Sequence, residues 1–100
     1  MTTEQMAAFV SEFREDFQIP PYYDDAVIRR AAQRCEARLT DLKEDAEFVT
    51  DLIGRGLLQN YAYYALNHRD EEFLQNYGPD IRSWQLSAEA RETDESGEDE

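Results

Sequence analysis

The sequence has little of what several protein classes require. It holds one cysteine, one histidine, four glycines and three prolines in 100 residues. A single cysteine, Cys35, excludes an intrachain disulfide and gives no sign of an oxidising compartment. So few glycines and prolines favour helices over a turn-rich β-fold. These scarcities predict a helical protein that folds without disulfides.

Membrane and export signals are also lacking. The N-terminal MTTEQMAAFV has no basic region and no long apolar run, so it is not the pattern of a signal peptide. No stretch approaches the roughly 18 apolar residues that a membrane span needs. We therefore expect a soluble protein made in the cytoplasm, with no membrane partner.

Positive charge is scarce. Ten Lys and Arg stand against 23 Asp and Glu, a net charge of −13. Such a chain repels phosphate backbones and anionic membrane surfaces, which argues against general DNA binding. The acidity is compatible with lining a passage through which DNA slides without sticking.

Catalytic and metal-binding motifs are missing from the sequence. It contains no Gly-rich phosphate loop, no Cys/His metal spacing and no nucleophile elbow. His68 lies on the apolar side of a predicted helix near acids, where a lone histidine is usually structural. Cys35 lies on a buried stripe and is expected to act as a small hydrophobe. We expect no enzyme, no metal and no cofactor.

Apolar periodicity predicts an all-α fold, a small bundle of about four helices around a long central helix. Thr2 is expected to cap the first helix and Asp24 the second. The third is predicted to be the longest, roughly from Ala46 to His68. The fourth covers RDEEFLQNY and ends at Gly78–Pro79. Gly54 and Gly56 are expected to allow another backbone to approach, with a kink as the alternative.

The domain boundary is predicted near residue 86. Residues 1–86 form the helical domain, which ends in the short segment DIRSWQL with one large aromatic residue, Trp84. Residues 87–100 hold seven acids and one arginine, a net charge of −6. They lack aromatic and large aliphatic residues, so we expect an acidic tail that is disordered when free.

The stretch LLQNYAYYALNHRDEEF places three tyrosines within four residues. On a helix, Tyr61 and Tyr64 share a face with Leu57 and are expected in the core. Tyr63 points nearly away from them. Its exposure has two interpretations, incidental exposure or a protein interface, and we favour an interface because so small a core leaves apolar surface uncovered.

Arg30, Arg34 and Arg38 follow one another at four-residue intervals, and we call them the arginine row. One interpretation is a solvated face paired with nearby acids, where each pair contributes about 0–1 kcal/mol. The other is an intersubunit surface on which the row meets the acids of the next copy. DNA binding is the least favoured, since three arginines stand against a net charge of −13.

The order of features resembles the small head–tail connector (adaptor) proteins of long-tailed bacteriophages. The stretches FREDFQIPPYYDDAVIRRAAQRCEARL and GRGLLQNYAYYALNHRDEEFLQNYGPDIRSWQL carry the resemblance, within about four-fifths of the chain. The matching positions are Phe13, Phe17, Asp24, Asp25, Leu57, Leu58, Tyr61, Tyr64, Ala65, Asn67, Glu72, Phe73, Asn76, Tyr77, Gln85 and Leu86. Gly78–Pro79, where the family usually has continuous helix, and the long acidic tail depart from the pattern.

The resemblance implies a subunit that is made in the bacterial host and forms a dodecameric ring at the neck of a virion, with a free monomer as one state before assembly. The ring would join the portal protein to a stopper or tail-completion protein, with DNA passing through without sequence-specific contacts. Tyr63 and the arginine row would face neighbouring copies. Trp84, Leu86 and the tail would dock on the portal with Trp84 as the anchor. The alternative for Trp84 is a core lid over the helix ends.

Two other classes of function remain open at this point. One is an acidic DNA mimic that inhibits a nucleic-acid-binding protein, although nearly half of the net charge lies in the tail. The other is a small helical regulator that works as a dimer.

Overall fold

Five helices make up the described part of the chain. The computed structural model describes residues 1–86, with α1 (Thr3–Asp16), α2 (Asp25–Leu42), α3 (Leu52–Leu66), α4 (Asp70–Asn76) and α5 (residues 78–86). No strand occurs in this range, so the predicted all-α fold is confirmed. The predicted acidic tail, residues 87–100, lies outside the described residues.

The first two helices begin where their capping residues predict. The Gln5 backbone N–H donates to Thr2 Oγ1 at 3.0 Å, and the Thr2 N–H donates back to Gln5 Oε1 at 2.9 Å. This reciprocal pair satisfies two amides that helix geometry leaves without partners. At the start of α2, Asp24 accepts from the Ala26 N–H at 3.0 Å. Both predicted caps are confirmed.

The third helix is shorter than predicted. It has 15 residues and α2, with 18, is the longest, so the prediction of a helix from residue 46 to 68 is wrong at its start. The Glu47 carboxylate accepts from the backbone N–H groups of Thr50 at 2.8 Å and Asp51 at 3.1 Å, and from Val49. The Thr50 hydroxyl and these amides hold the pKa of Glu47 at about 2. Asp51 then caps α3 by accepting from the Ile53 N–H at 3.2 Å.

The helices pack around α3, as the prediction of a central helix requires. The N-terminal ammonium pairs with Glu36, and Arg14 pairs with Asp25 at 2.5 Å, so α1 runs antiparallel to α2. Arg55 reaches Glu12 at 2.9 Å, which holds α3 against α1.

On its other side, α3 is covered by the chain that folds back through α4 and α5. The core lies between these layers and contains Met6, Phe9, Val10, Phe13, Ile28, Ala32, Cys35, Leu39, Phe48, Leu57, Leu58, Tyr61, Ala62, Phe73, Ile81 and Trp84. Cys35 is a core residue, as expected, since only 4% of it is exposed, and this burial raises the pKa of its thiol to about 12.

Gly78–Pro79 interrupts the helical path only briefly. The helix α4 ends at Asn76, one residue before the predicted end, and Tyr77 rather than Gly78 follows it as the C-cap. The chain is helical again from residue 78 onward, so the prediction that Gly78–Pro79 ends the helix is wrong. The Ile81 N–H donates to the Tyr77 carbonyl at 2.8 Å across the junction. Proline is well tolerated in the first turn of a helix because the amides there need no partner within the helix. DIRSWQL is therefore part of a helix that presents Ile81 and Trp84 to the core.

His68 does not lie on an apolar face, which corrects its predicted placement. It follows α3, it is exposed, and its φ of 58° is left-handed. The glycines also differ from one another. A methyl group on Gly54 would lie 2.9 Å from the Glu47 carbonyl oxygen, the expected close approach of another backbone, whereas nothing lies within 4 Å at Gly56.

Candidate functional site

The arginine row lies on the exposed side of α2. Its three members are exposed, while Ile28, Ala31 and Cys35 on the opposite side are buried. The four-residue spacing places the α-carbons of successive members about 6 Å apart along the helix axis. Arg29 adjoins the row and is also exposed, although the sequence pattern did not single it out.

No member of the row has an ion pair within residues 1–86. The basic side chains that form ion pairs there are Arg14, Lys43, Arg55 and Arg69. Glu36, the acid of α2 nearest to the row in sequence, pairs instead with the N-terminal ammonium. The first interpretation of the row, a face neutralised by its own acids, therefore does not fit the geometry of the described residues.

The three tyrosines of α3 have different neighbours. Tyr61 stacks on Phe73 with ring centroids 4.5 Å apart, and Tyr64 meets the edge of the same ring at 5.7 Å. Tyr63 points the other way and stacks on Phe17, with centroids 4.6 Å apart and planes 11° apart. It is still 39% exposed. Because α3 is covered on two sides, all three rings find aromatic partners and the outer edge of Tyr63 stays open to solvent.

Trp84 is a core residue rather than a surface anchor. It is 2% exposed, and its Nε1–H donates to Asp51 Oδ2 at 2.9 Å. Phe48 packs against the ring at 6.0 Å, and Lys43 Nζ lies 5.5 Å from its centroid. The anchor interpretation is thus corrected, because α5 turns the ring inward over the start of α3. This is the core-lid alternative.

An exposed apolar surface surrounds the start of α3. Leu52 is 76% and Ile53 59% exposed, although the sequence pattern placed both on a covered helix. Leu86, at the end of the described chain, is 57% exposed. A groove of about 380 Å³ between α3 and α5 is lined by Leu52, Ile53, Gly56, Leu57, Asn60, Asp80, Ser83 and Trp84. Ile53 was misplaced because it lies four residues before the buried Leu57, so period alone assigns both to one face.

The candidate residues do not converge on one site. The arginine row lies on α2, Tyr63 faces the end of α1, and Leu86 ends α5. Within residues 1–86 no three His, Cys, Asp or Glu side chains are placed to hold a metal ion. None of the helices there is long and apolar enough to cross a membrane. The candidate residues therefore lie on separate exposed surfaces.

Comparison with known proteins adds no relative. No protein-family model, no curated protein and no solved structure matches the chain.

Proposed function

We propose that this chain is a non-catalytic structural subunit of a phage head–tail connector. Copies would form a ring between the portal protein and a stopper or tail-completion protein at the neck of the virion. The DNA would pass through the ring, kept mobile by repulsion from acidic side chains. The order of motifs from Phe13 to Leu86 supports this proposal, and the all-α fold is consistent with it.

The arginine row is the observation that carries the copy-to-copy contact. A ring needs two different surfaces on each subunit, because a head-to-tail contact joins one patch to another. A row of arginines with no acidic partner within residues 1–86 is one such surface, and exposed acids with no ion pair in the same range, such as Glu71 on α4, offer a complement. Burying these pairs between copies strengthens them relative to exposed pairs.

The apolar surface at the start of α3 supports a second contact. Leu52 and Ile53 expose large aliphatic side chains beside one groove, and contiguous apolar patches of this kind commonly mark protein contacts. In the proposed assembly Leu52 and Ile53 would meet the portal, while Trp84 stays in the core at the base of the groove.

The test mixes the purified chain with the portal protein of the same virus and examines the product by electron microscopy and native mass spectrometry. We expect portal particles that carry a ring of this chain. Arg34→Glu with Arg38→Glu should abolish the ring, because like charges would then meet across the contact. Arg82→Glu is the matched control, since Arg82 is exposed on α5 and outside the row.

Several outcomes would contradict the proposal. They are portal particles without added density, a stable dimer that ignores the portal, or tight binding to a nucleic-acid-binding protein. Infectious virions that lack this chain would contradict it as well.

A further inference from the structure

The arginine row is a basic surface on an acidic molecule, and it has no ion-pair partner within residues 1–86. The whole chain carries −13 and residues 87–100 carry −6, which leaves −7 for residues 1–86. Against that background, the row and Arg29 hold four positive charges with no ion pair within residues 1–86. Like charges at four-residue spacing repel one another, so an acidic segment that reaches the row relieves that repulsion.

The end of the described chain lies close to this surface. The Gln85 side-chain amide donates to the Leu42 carbonyl, which places the end of α5 beside the C-terminal end of α2. Arg38 lies four residues before Leu42, about 6 Å along the helix axis, and Arg30 lies about 18 Å from it. The fourteen residues that follow span up to about 46–50 Å when extended. They are long enough to run the length of the row.

The composition of that segment matches the surface. Residues 87–100 carry Glu89, Glu92, Asp94, Glu95, Glu98, Asp99 and Glu100, with Arg91 as the only basic residue. Their side chains offer carboxylates, which are the groups that guanidinium groups pair with best. A short tether also gives the segment an effective concentration in the millimolar range, so that individually weak exposed pairs suffice.

We propose that residues 87–100 bind the arginine row of the same molecule in the free protein. The contact is electrostatic, so it weakens as salt shortens the range of the charges. It also covers the surface that a neighbouring copy would use, and assembly would have to displace it. That last consequence rests on the proposed function, whereas the contact itself does not.

The test uses paramagnetic broadening in the full-length chain. A nitroxide is attached at Ser96→Cys, and it reacts there selectively because Cys35 is buried and its thiol pKa is raised to about 12. The decisive signals are the backbone amides of Arg30 and Arg34, which lie away from the attachment point at residue 86. We expect them to lose intensity at low salt while the amide of Gln59 on α3 keeps its intensity. The loss should disappear at 1 M salt, where the Debye length is about 3 Å.

A charge-neutral variant provides the control. Arg30→Gln, Arg34→Gln and Arg38→Gln together should restore the α2 signals in the labelled chain, and Arg82→Gln should not. Exposed Arg-to-Gln changes leave the core intact, and unchanged amide shifts for core residues confirm this. A second sample tests whether the tail reaches a different molecule. It mixes nitroxide-bearing chain that has no isotope label with isotope-labelled chain that bears no nitroxide.

The proposal is supported if the broadening occurs only when nitroxide and isotope are on the same molecule. The broadening must also disappear at high salt and in the triple variant. The proposal would be overturned if the Arg30 and Arg34 amide signals kept their intensity, or if the Gln59 amide on α3 lost as much intensity as they did. It would also be overturned if the broadening persisted in the triple variant. Broadening in the mixed sample would also overturn it, because the tail would then be reaching a second copy. None of these outcomes depends on ring formation.

Discussion

Gly54 and Gly56 show how two identical residues on one helix have different roles. A β-carbon on Gly54 would lie 2.9 Å from the Glu47 carbonyl oxygen and 3.1 Å from Trp84 Nε1. Real β-carbons essentially never approach backbone so closely, and the Glu47 segment is held in place by its own side-chain hydrogen bonds. At Gly56 a β-carbon would point into the open groove. The sequence presents both as glycine inside an apolar helix, so this difference could not be predicted from it.

This contrast predicts opposite effects of the same substitution. Gly56→Ala should raise the free energy of unfolding by about 0.5–1 kcal/mol, the usual gain from glycine to alanine in a helix. Gly54→Ala gains the same helix propensity, but its β-carbon must displace the Glu47 backbone. Such overpacking costs about 1–3 kcal/mol, so this variant should have a lower free energy of unfolding. Urea denaturation of both variants against the parent measures the difference. If both variants were stabilised equally, the backbone at Glu47 would have to move at little energetic cost to make room for the new β-carbon.

At the scale of helices, the starts were easier to predict than the central segment. Thr2 and Asp24 cap α1 and α2 as expected because capping is a local interaction, readable from residues two or three apart. The start of α3 was misjudged because Phe48 is apolar and buried without being helical. The Glu47 carboxylate takes up the amides that a helix would need, and a side chain that competes with helix formation in this way leaves no periodic signal.

Two helices end in the same hydrogen-bonding motif without glycine. After α1, the Ile19 N–H donates to the Arg14 carbonyl at 3.0 Å, and Gln18 has a φ of 51°. After α3, the Arg69 N–H donates to the Tyr64 carbonyl at 2.8 Å, and His68 has a φ of 58°. Both patterns are Schellman motifs, in which glycine is preferred at the left-handed position because it lacks the β-carbon.

His68→Gly should therefore stabilise the protein. The exposed His68 side chain makes no hydrogen bond within residues 1–86. Removing its β-carbon relieves a left-handed penalty of about 1–2 kcal/mol, which is offset in part by glycine's extra entropy of about 0.5–1 kcal/mol. We expect a higher midpoint of thermal unfolding. His68→Ala is the matched control, because it removes the imidazole but keeps the β-carbon and should give no gain. A gain of equal size from alanine would trace the effect to the imidazole instead.

At the scale of the molecule, distant parts of the chain meet at one end of the bundle. Trp84 donates to Asp51, which also caps α3, and Gln85 donates to the last carbonyl of α2. The end of α5 thus closes the junction between α2 and α3. From the sequence alone, Trp84 could be assigned either to the core or to an interface. A single large aromatic residue in a short segment gives no periodicity from which to assign a face.

This closure predicts that the molecule unfolds as one unit. Trp84 is the only tryptophan, so its fluorescence reports on α5, while far-UV circular dichroism reports on all the helices. Because the ring is buried in the core shared by the other helices, the two signals should follow coincident urea transitions, as two-state unfolding requires. A tryptophan transition at lower urea than the helical one would mean that α5 detaches first. Trp84 would then be available to a partner at low energetic cost, and its role as a docking anchor would again be open.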